Sequence, residues 1–372
     1  MTGMDYADRF SAGEGIYLLS HSVGRPPRDV QTEVATTFFK PWEGDEGEPW
    51  PQWLQVIDQF RAALARLFHS SAEHFCPQTN LSSALSKVVA ALPPRASRNV
   101  LLLSEDDFPS MGFVLQQAER LGYVTRFIPA SEPVNDLQVW SRHLTGDTAI
   151  ALLTHVQSNT SRMLPVDEVA RLAREREVVT IVDVAQSVGV IPIDIAAWNA
   201  DFVIGSCVKW LCGGPGAAFL WVNPSIVDEC APLDVGWFSH ADPFALRIRE
   251  FRYHPGALRF WGGTPSILPA AVATVGIRTL TDIGIETVRR HNLELSQKLI
   301  DTVDETVLRS PRHPAERGGT VVLHFGALHS AVVEQFRAAA VRFDTRSFGA
   351  RLSPHIYNSD RELNIVLGLL NV

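Results

Sequence analysis

Short apolar runs bounded by turn residues alternate with stretches of helical periodicity through the middle of the chain. Runs at 99–103, 123–128, 149–155, 178–183, 201–206 and 217–222 are each short enough to be a buried strand. Between them, 111–121 has helical spacing, and 166–176 opens on Pro165-Val166-Asp167-Glu168, a proline and two acids where a helix start favours them. The alternation predicts an α/β fold on a mostly parallel sheet with helices on both faces, with ligands bound in the loops at the carboxyl ends of the strands. Upstream, apolar residues at 54, 57, 60, 64, 67 and 68 predict an amphipathic helix over 53–68, after a loop at 41–51 rich in acid, Gly and Pro. Downstream, 269–280 and 285–303 read as helices, 320–325 as a strand and 331–340 as a helix, which fits a smaller α/β unit. The pair Gly262-Gly263 marks the expected boundary, dividing the chain into segments 1–24, 25–262 and 263–372. No fixed-period repeat is visible, which sets aside solenoids and propellers.

Composition narrows the class of partner. Lys and Arg total 33 against 41 Asp and Glu, a formal charge of −8 with no long basic stretch, so a nucleic-acid partner is disfavoured. The chain is 46% hydrophobic and 20% charged, as folded globular proteins are. No stretch approaches the roughly 18 apolar residues of a membrane-spanning helix, and the N-terminus carries acid and no apolar run; the expectation is a cytoplasmic protein with no membrane partner. The four cysteines, Cys76, Cys207, Cys212 and Cys230, are too few for a disulfide framework and lack the paired spacing of a zinc site, so no metal is expected and a reducing compartment is.

The chemistry concentrates at two strand ends. The run 178–182 leads into Asp183-Val184-Ala185-Gln186, and an aspartate ending a buried strand is costly unless a cation meets it. The next strand runs into Cys207-Val208-Lys209-Trp210-Leu211-Cys212-Gly213-Gly214-Pro215-Gly216, which puts Lys209 on a tight loop at the same rim. A partly desolvated lysine is nucleophilic toward a carbonyl, as in a Schiff base to pyridoxal 5′-phosphate, and the aspartate would then pair with the pyridine nitrogen. Asn80-Leu81-Ser82-Ser83 precedes the apolar run 84–92, so Asn80, Leu81 and Ser82 sit at a helix N-terminus suited to a phosphate. Ser206 can add a second hydroxyl, and Phe108 can lay an aromatic face over a ring at the rim.

Read together, Asp183 to Gly216 is similar to the fold-type I pyridoxal-phosphate enzymes of the class V aminotransferase superfamily, which includes cysteine desulfurases, isopenicillin N epimerase and kynureninase. Lys209 follows Asp183 by 26 residues, and the order Asp183-x-x-Gln186 matches the desulfurase side of that superfamily. The likeness extends over most of the chain and implies a large domain with a seven-stranded, mostly parallel sheet plus a smaller C-terminal α/β domain. It implies that segment 1–24, with His21 and Ser22, enters the active site on the substrate side. It implies ring stacking by Phe108, a phosphate contact by Trp237, Thr264 on the cofactor phosphate of the other subunit, and Arg351 on the substrate carboxylate. Relatives place the group facing the ring hydroxyl where Ser158 falls, seven residues before Pro165, with Gln186 sharing that duty. The implied assembly is a homodimer with active sites at its interface.

The departures bear on the reaction. Kynureninase-like sequences have other residues where this one has Met111, Gln186, Val208 and Thr264, and the segment 342–350 before Arg351 lacks the cysteine of a desulfurase. The reading is therefore a pyridoxal-phosphate enzyme that removes the Cα proton of an α-amino acid with Lys209 as base. It then follows aminotransferase chemistry, or lyase chemistry that breaks a C–S or C–C bond of the substrate's side chain. Desulfurase, epimerase or kynureninase-type hydrolase activity is the alternative within the family, and a catalytically silent binding protein the alternative outside it.

Overall fold

The computed structural model describes residues 6–11, 13–44, 47–95 and 97–370; residues 1–5, part of the segment expected to enter the site, lie outside them. Seven strands form the central sheet, in the order Phe75–Gln78, Ala218–Val222, Phe202–Ser206, Val179–Asp183, Thr148–Thr154, Val100–Ser104, Val124–Ile128. The last five in this order run parallel, while Ala218–Val222 is antiparallel to both of its neighbours. The interior strands read as nearly continuous apolar runs, VLLL, IALL and TIV, because helices cover both faces there, while the edge strand Val124–Ile128 is partly exposed.

Two buried clusters follow from that sandwiching. One lies under Trp50–Leu67 and Ile267–Ile283; the other is packed by Leu81–Ala91 and Pro109–Gln117. The 53–68 periodicity becomes Trp50–Leu67, starting earlier because Pro51 is tolerated in a first helical turn. The expected loop at 41–51 is partly helical, since Lys40–Glu43 continues the π-turn Ala35–Phe39 and Phe38 stacks on Trp53. Strand Phe75–Gln78 and helix Leu137–His143 were not anticipated.

A second, three-stranded antiparallel sheet has Gly349–Leu352 between Asp344–Arg346 and Val321–Leu323. The N-terminal segment joins this region: Ile16–Tyr17 pairs with Val341–Arg342, and the Ser353 N–H donates to the carbonyl of Leu18. Gly24 then crosses the lysine loop, where an added Cβ would sit 2.2 Å from the Lys209 carbonyl oxygen. Only a residue without a side chain permits that approach, which ties the N-terminal segment to the loop carrying Lys209.

Candidate active site

The carboxyl ends of four neighbouring strands deliver Ser104, Thr154, Asp183 and Ser206 to one rim. There a cavity of about 700 Å³, counting its open mouth, is lined by Asn80, Leu81, Ser82, Phe108, Thr154, Ser158, Asp183, Gln186, Ser206 and Lys209. Nine of the fourteen lining residues are sequence-predicted site residues, brought from five separate loops to one place; the others are Ser110, Met111, Val156, Ala185 and Thr154, the last of which pairs in register with Asp183.

Local chemistry fixes each wall. Asn80 caps the helix Leu81–Ala91, its Oδ1 accepting from the Ser83 N–H at 2.9 Å, so the first-turn amides open on the cavity. Phe108 leads the helix Pro109–Gln117, and its half-exposed ring lies 5.7 Å from Lys209 Nζ. Gly213 holds the lysine loop against Ile267–Ile283, where an added Cβ would meet Ala273 Cα at 2.8 Å. Asp183 is buried, and one oxygen accepts from the Ala185 N–H at 2.7 Å. Burial pushes its carboxyl up, while that amide and Lys209 pull it back; burial pushes the Lys209 amine down, opposed by Asp183 and reinforced by Arg351 and Arg346. The two groups thus act on each other electrostatically, a buried acid and an amine biased toward its neutral, nucleophilic form.

Beside them Asp107, which sequence reasoning did not single out, is buried and accepts from the Ser104 N–H at 2.9 Å and from Gln157 Nε2 at 3.0 Å. Burial pushes its carboxyl up to about 6 despite those bonds. Its place next to Phe108 was the available signal. It braces the Phe108 loop against the Gln157–Ser158 loop.

Other predicted residues stand elsewhere. Arg351 is 2% exposed and does not line the cavity. Its Nε donates to Asp344 Oδ1 at 2.7 Å, Nη2 to Asp344 Oδ2, and Nη1 to the Ser158 carbonyl at 3.0 Å. Of its five N–H groups two remain, one on each terminal nitrogen. His21 is buried behind this pair, Nε2 donating to Asp344 at 3.0 Å and Nδ1 accepting from the Ser353 hydroxyl at 2.6 Å. Burial pushes its pKa down to about 4, so it is neutral near pH 7 and serves as a hydrogen-bonding strut. Ser22 is exposed in the adjoining turn, outside the cavity lining. Gln186 reaches the cavity, but its amide also spans the His21 carbonyl at 3.1 Å and the Trp210 indole N–H at 3.2 Å.

Trp237, expected at the phosphate, does not line this cavity: it packs on Trp50 at 5.6 Å and on Phe238 at 4.4 Å and lines a separate hollow with His240 and Ile248. Thr264 lines another hollow with Gln78, Lys87 and Pro265.

The residues present fit pyridoxal phosphate. Ser158 Oγ is buried on the cavity wall with no hydrogen-bond partner, a group that a ring hydroxyl would satisfy. The helix start at the other end offers amides and Ser82 to a phosphate.

Comparison with known proteins agrees with this geometry. Residues 51–356 match the model of the family described as aminotransferase class-V. The chain is 31% identical over 325 residues to a kynureninase of Deinococcus radiodurans, covering 83% of this chain and 77% of that one. It is 25% identical over 321 residues to the uncharacterized aminotransferase YcbU of Bacillus subtilis, covering 86% and 84%. Among solved structures, the cystine C–S lyase C-DES in complex with its product cysteine persulfide superposes with a TM-score of 0.86 at 21% identity, over 96% of this chain and 98% of that one. The apo cysteine desulfurase of Thermococcus onnurineus NA1 gives 0.84 at 21% identity, over 96% and 94%. A lysine and an aspartate meeting at the sheet rim, a capped helix start facing them and a family match over most of the sequence converge on one conclusion: the chain belongs to the class V aminotransferase family of pyridoxal-phosphate-dependent enzymes.

Proposed function

We propose that Lys209 is the catalytic base of an enzyme that labilises the Cα–H bond of an α-amino acid and carries it into aminotransferase or side-chain lyase chemistry. The observation that carries this is the half-buried Lys209 and the buried Asp183 lining one cavity with a capped helix N-terminus. Pyridoxal phosphate, when bound, supplies an electron sink for the charge left at Cα. Asp183 would hold a proton on the pyridine nitrogen. Ser82, Ser206 and the amides after Asn80 would hold the phosphate, Phe108 would cover the ring, and Ser158 with Gln186 would face the ring hydroxyl. The Lys209 amine, with its pKa lowered by burial, would accept the Cα proton at Nζ and hold it for the step that follows. The two remaining N–H groups of Arg351 would take the α-carboxylate, with Asp344 and His21 fixing the guanidinium plane.

A desulfurase reading is less well supported, because it needs an accessible thiolate. All four cysteines are buried, and burial pushes each thiol well up, Cys76 and Cys230 to about 12. A silent binding protein has no use for a desolvated Lys209 facing Asp183.

The reading extends to a homodimer with the site at its interface, a large domain over 25–262 and a small one over 263–372. Supporting the dimer, Val235, Phe244, Leu246 and Ile248 are exposed apolar side chains gathered beside Trp237, with Ile248 100% exposed. Four free thiols favour a reducing, cytoplasmic setting. Among the described residues no single helix is long and apolar enough to cross a membrane.

The test is product analysis by mass spectrometry of the holoenzyme against a panel of amino acids in D₂O, with and without a keto-acid acceptor. Deuterium at Cα, an acceptor-dependent keto acid or an eliminated side chain supports the reading. A panel in which no member exchanges its Cα proton overturns it.

A further inference from the structure

Three basic side chains lie within electrostatic reach of one another near this site, and the protein sets carboxylates beside two. Lys209 faces Asp183, and Arg351 is clasped by Asp344. Arg346 is the third. Residues two apart on a strand share a face, so Arg346 projects to the same side as Asp344. Its guanidinium carbon lies 5.8 Å from the centre of the Phe108 ring, the same ring that has Lys209 Nζ at 5.7 Å. Among the described residues it has no ion pair, and its side-chain hydrogen bond is a long one, 3.4 Å, to Asn159 Oδ1. The Arg346 side chain is exposed, so its donors are open to a ligand at the mouth.

Resting on the amino-acid reading above, we propose that Arg346 is an anion subsite at the mouth of the cavity and that the substrate is an α-amino acid whose side chain bears a second acidic group. The arrangement gives an acidic side chain a planar fork to bind, backed by an aromatic face that holds the guanidinium by cation–π attraction. A neutral side chain would leave the repulsion between Arg346 and Arg351 relieved by Asp344 alone. Burial and the nearby Arg351 already bias Arg346 against its charge, with Asp344 opposing, and an incoming carboxylate relieves that repulsion.

The experiment titrates the holoenzyme with matched pairs, aspartate against asparagine and glutamate against glutamine, and reads half-saturation from the cofactor absorbance. A charged hydrogen bond is worth about 1.5 to 3 kcal/mol, so the acid of at least one pair should bind about tenfold or more tightly than its amide. Arg346→Gln should bring that ratio close to one, and Arg346→Lys should retain part of it. An acid-to-amide ratio that is the same in wild type and Arg346→Gln overturns the subsite while leaving the amino-acid reading intact. Absorbance that no amino acid in the panel perturbs overturns both.

Discussion

Asp344→Asn removes one negative charge while keeping the shape of the side chain. In the native protein that carboxylate accepts from Arg351 Nε at 2.7 Å, from Arg351 Nη2 and from His21 Nε2 at 3.0 Å. The Arg351 side chain is 2% exposed and that of Asp344 33%, so the cation left behind has almost no water to turn to. Truncating one partner of a buried, hydrogen-bonded charge pair costs roughly 2 to 5 kcal/mol. Partial exposure of Asp344 puts this pair at about 2 to 3 kcal/mol. An unfolding entropy near 2.1 cal/mol/K per residue gives roughly 0.8 kcal/mol/K for 372 residues, so the Tm at pH 7 should fall by about 3 to 4 °C. The pH dependence has a defined sign. Burial alone would raise the Asp344 carboxyl, but the hydrogen bonds from His21 and Arg351 outweigh it and hold it well below the ordinary range. Stability from such a group is fully present above the unfolded value of about 3.9 and is lost as pH falls through the lower folded value. Calorimetry of both proteins should therefore give a Tm gap that is flat from pH 5 to 8 and narrows below about pH 4. An unchanged Tm at pH 7, or a gap that widens between pH 5 and pH 3, would refute the reasoning.

Borohydride reduction of the yellow holoprotein followed by peptide mapping should place the pyridoxyl mass on the peptide containing Lys209; a different labelled lysine removes Lys209 from its role. Asp183→Asn should retain cofactor but slow Cα–H exchange at least ~100-fold, about 2.7 kcal/mol of transition-state stabilisation, whereas wild-type exchange rates would dismiss Asp183. Burial pushes His355 down to about 4 and His155 to about 3, while His355 Nε2 donates to the Trp210 carbonyl at 2.9 Å. Because the unfolded state takes up protons first, stability should fall as pH drops from about 6.5 toward 4, by up to 1.36 kcal/mol per pH unit per buried histidine. Urea midpoints that hold steady over that window would count against neutral buried histidines. Light scattering should find two protomers per particle, and a fully cofactor-loaded monomer would contradict the proposed dimer.

The sequence by itself determined what is locally encoded. Apolar runs with turn residues at their ends specified six strands of the large sheet: five because a strand buried on both faces must be apolar along most of its length, and the edge strand Val124–Ile128, partly exposed and carrying Arg126, from its apolar ends. Asp183, Ser206 and Lys209 were legible because a polar residue just past such a run emerges at the rim. Asn80 and Ser82 were legible because a helix start favours short polar residues that can cap its free amides. Tertiary structure decided what depends on partners distant in sequence. Phe75–Gln78 is short, contains Pro77 and becomes a strand only by pairing with Ala218–Val222, and its four residues carry no period that could announce it. That Trp237 sits outside the Lys209 cavity, in an aromatic cluster with Trp50 and Phe238, was likewise settled by rings whose positions no spacing reveals. Arg351 was recognisable as a fork for a carboxylate, but that Asp344 holds half of it, braced by His21 from the N-terminal segment, follows from a three-stranded sheet and that segment meeting in space. A charge finds its partner through the fold, and one sequence carries the types of both residues but not the distance between them.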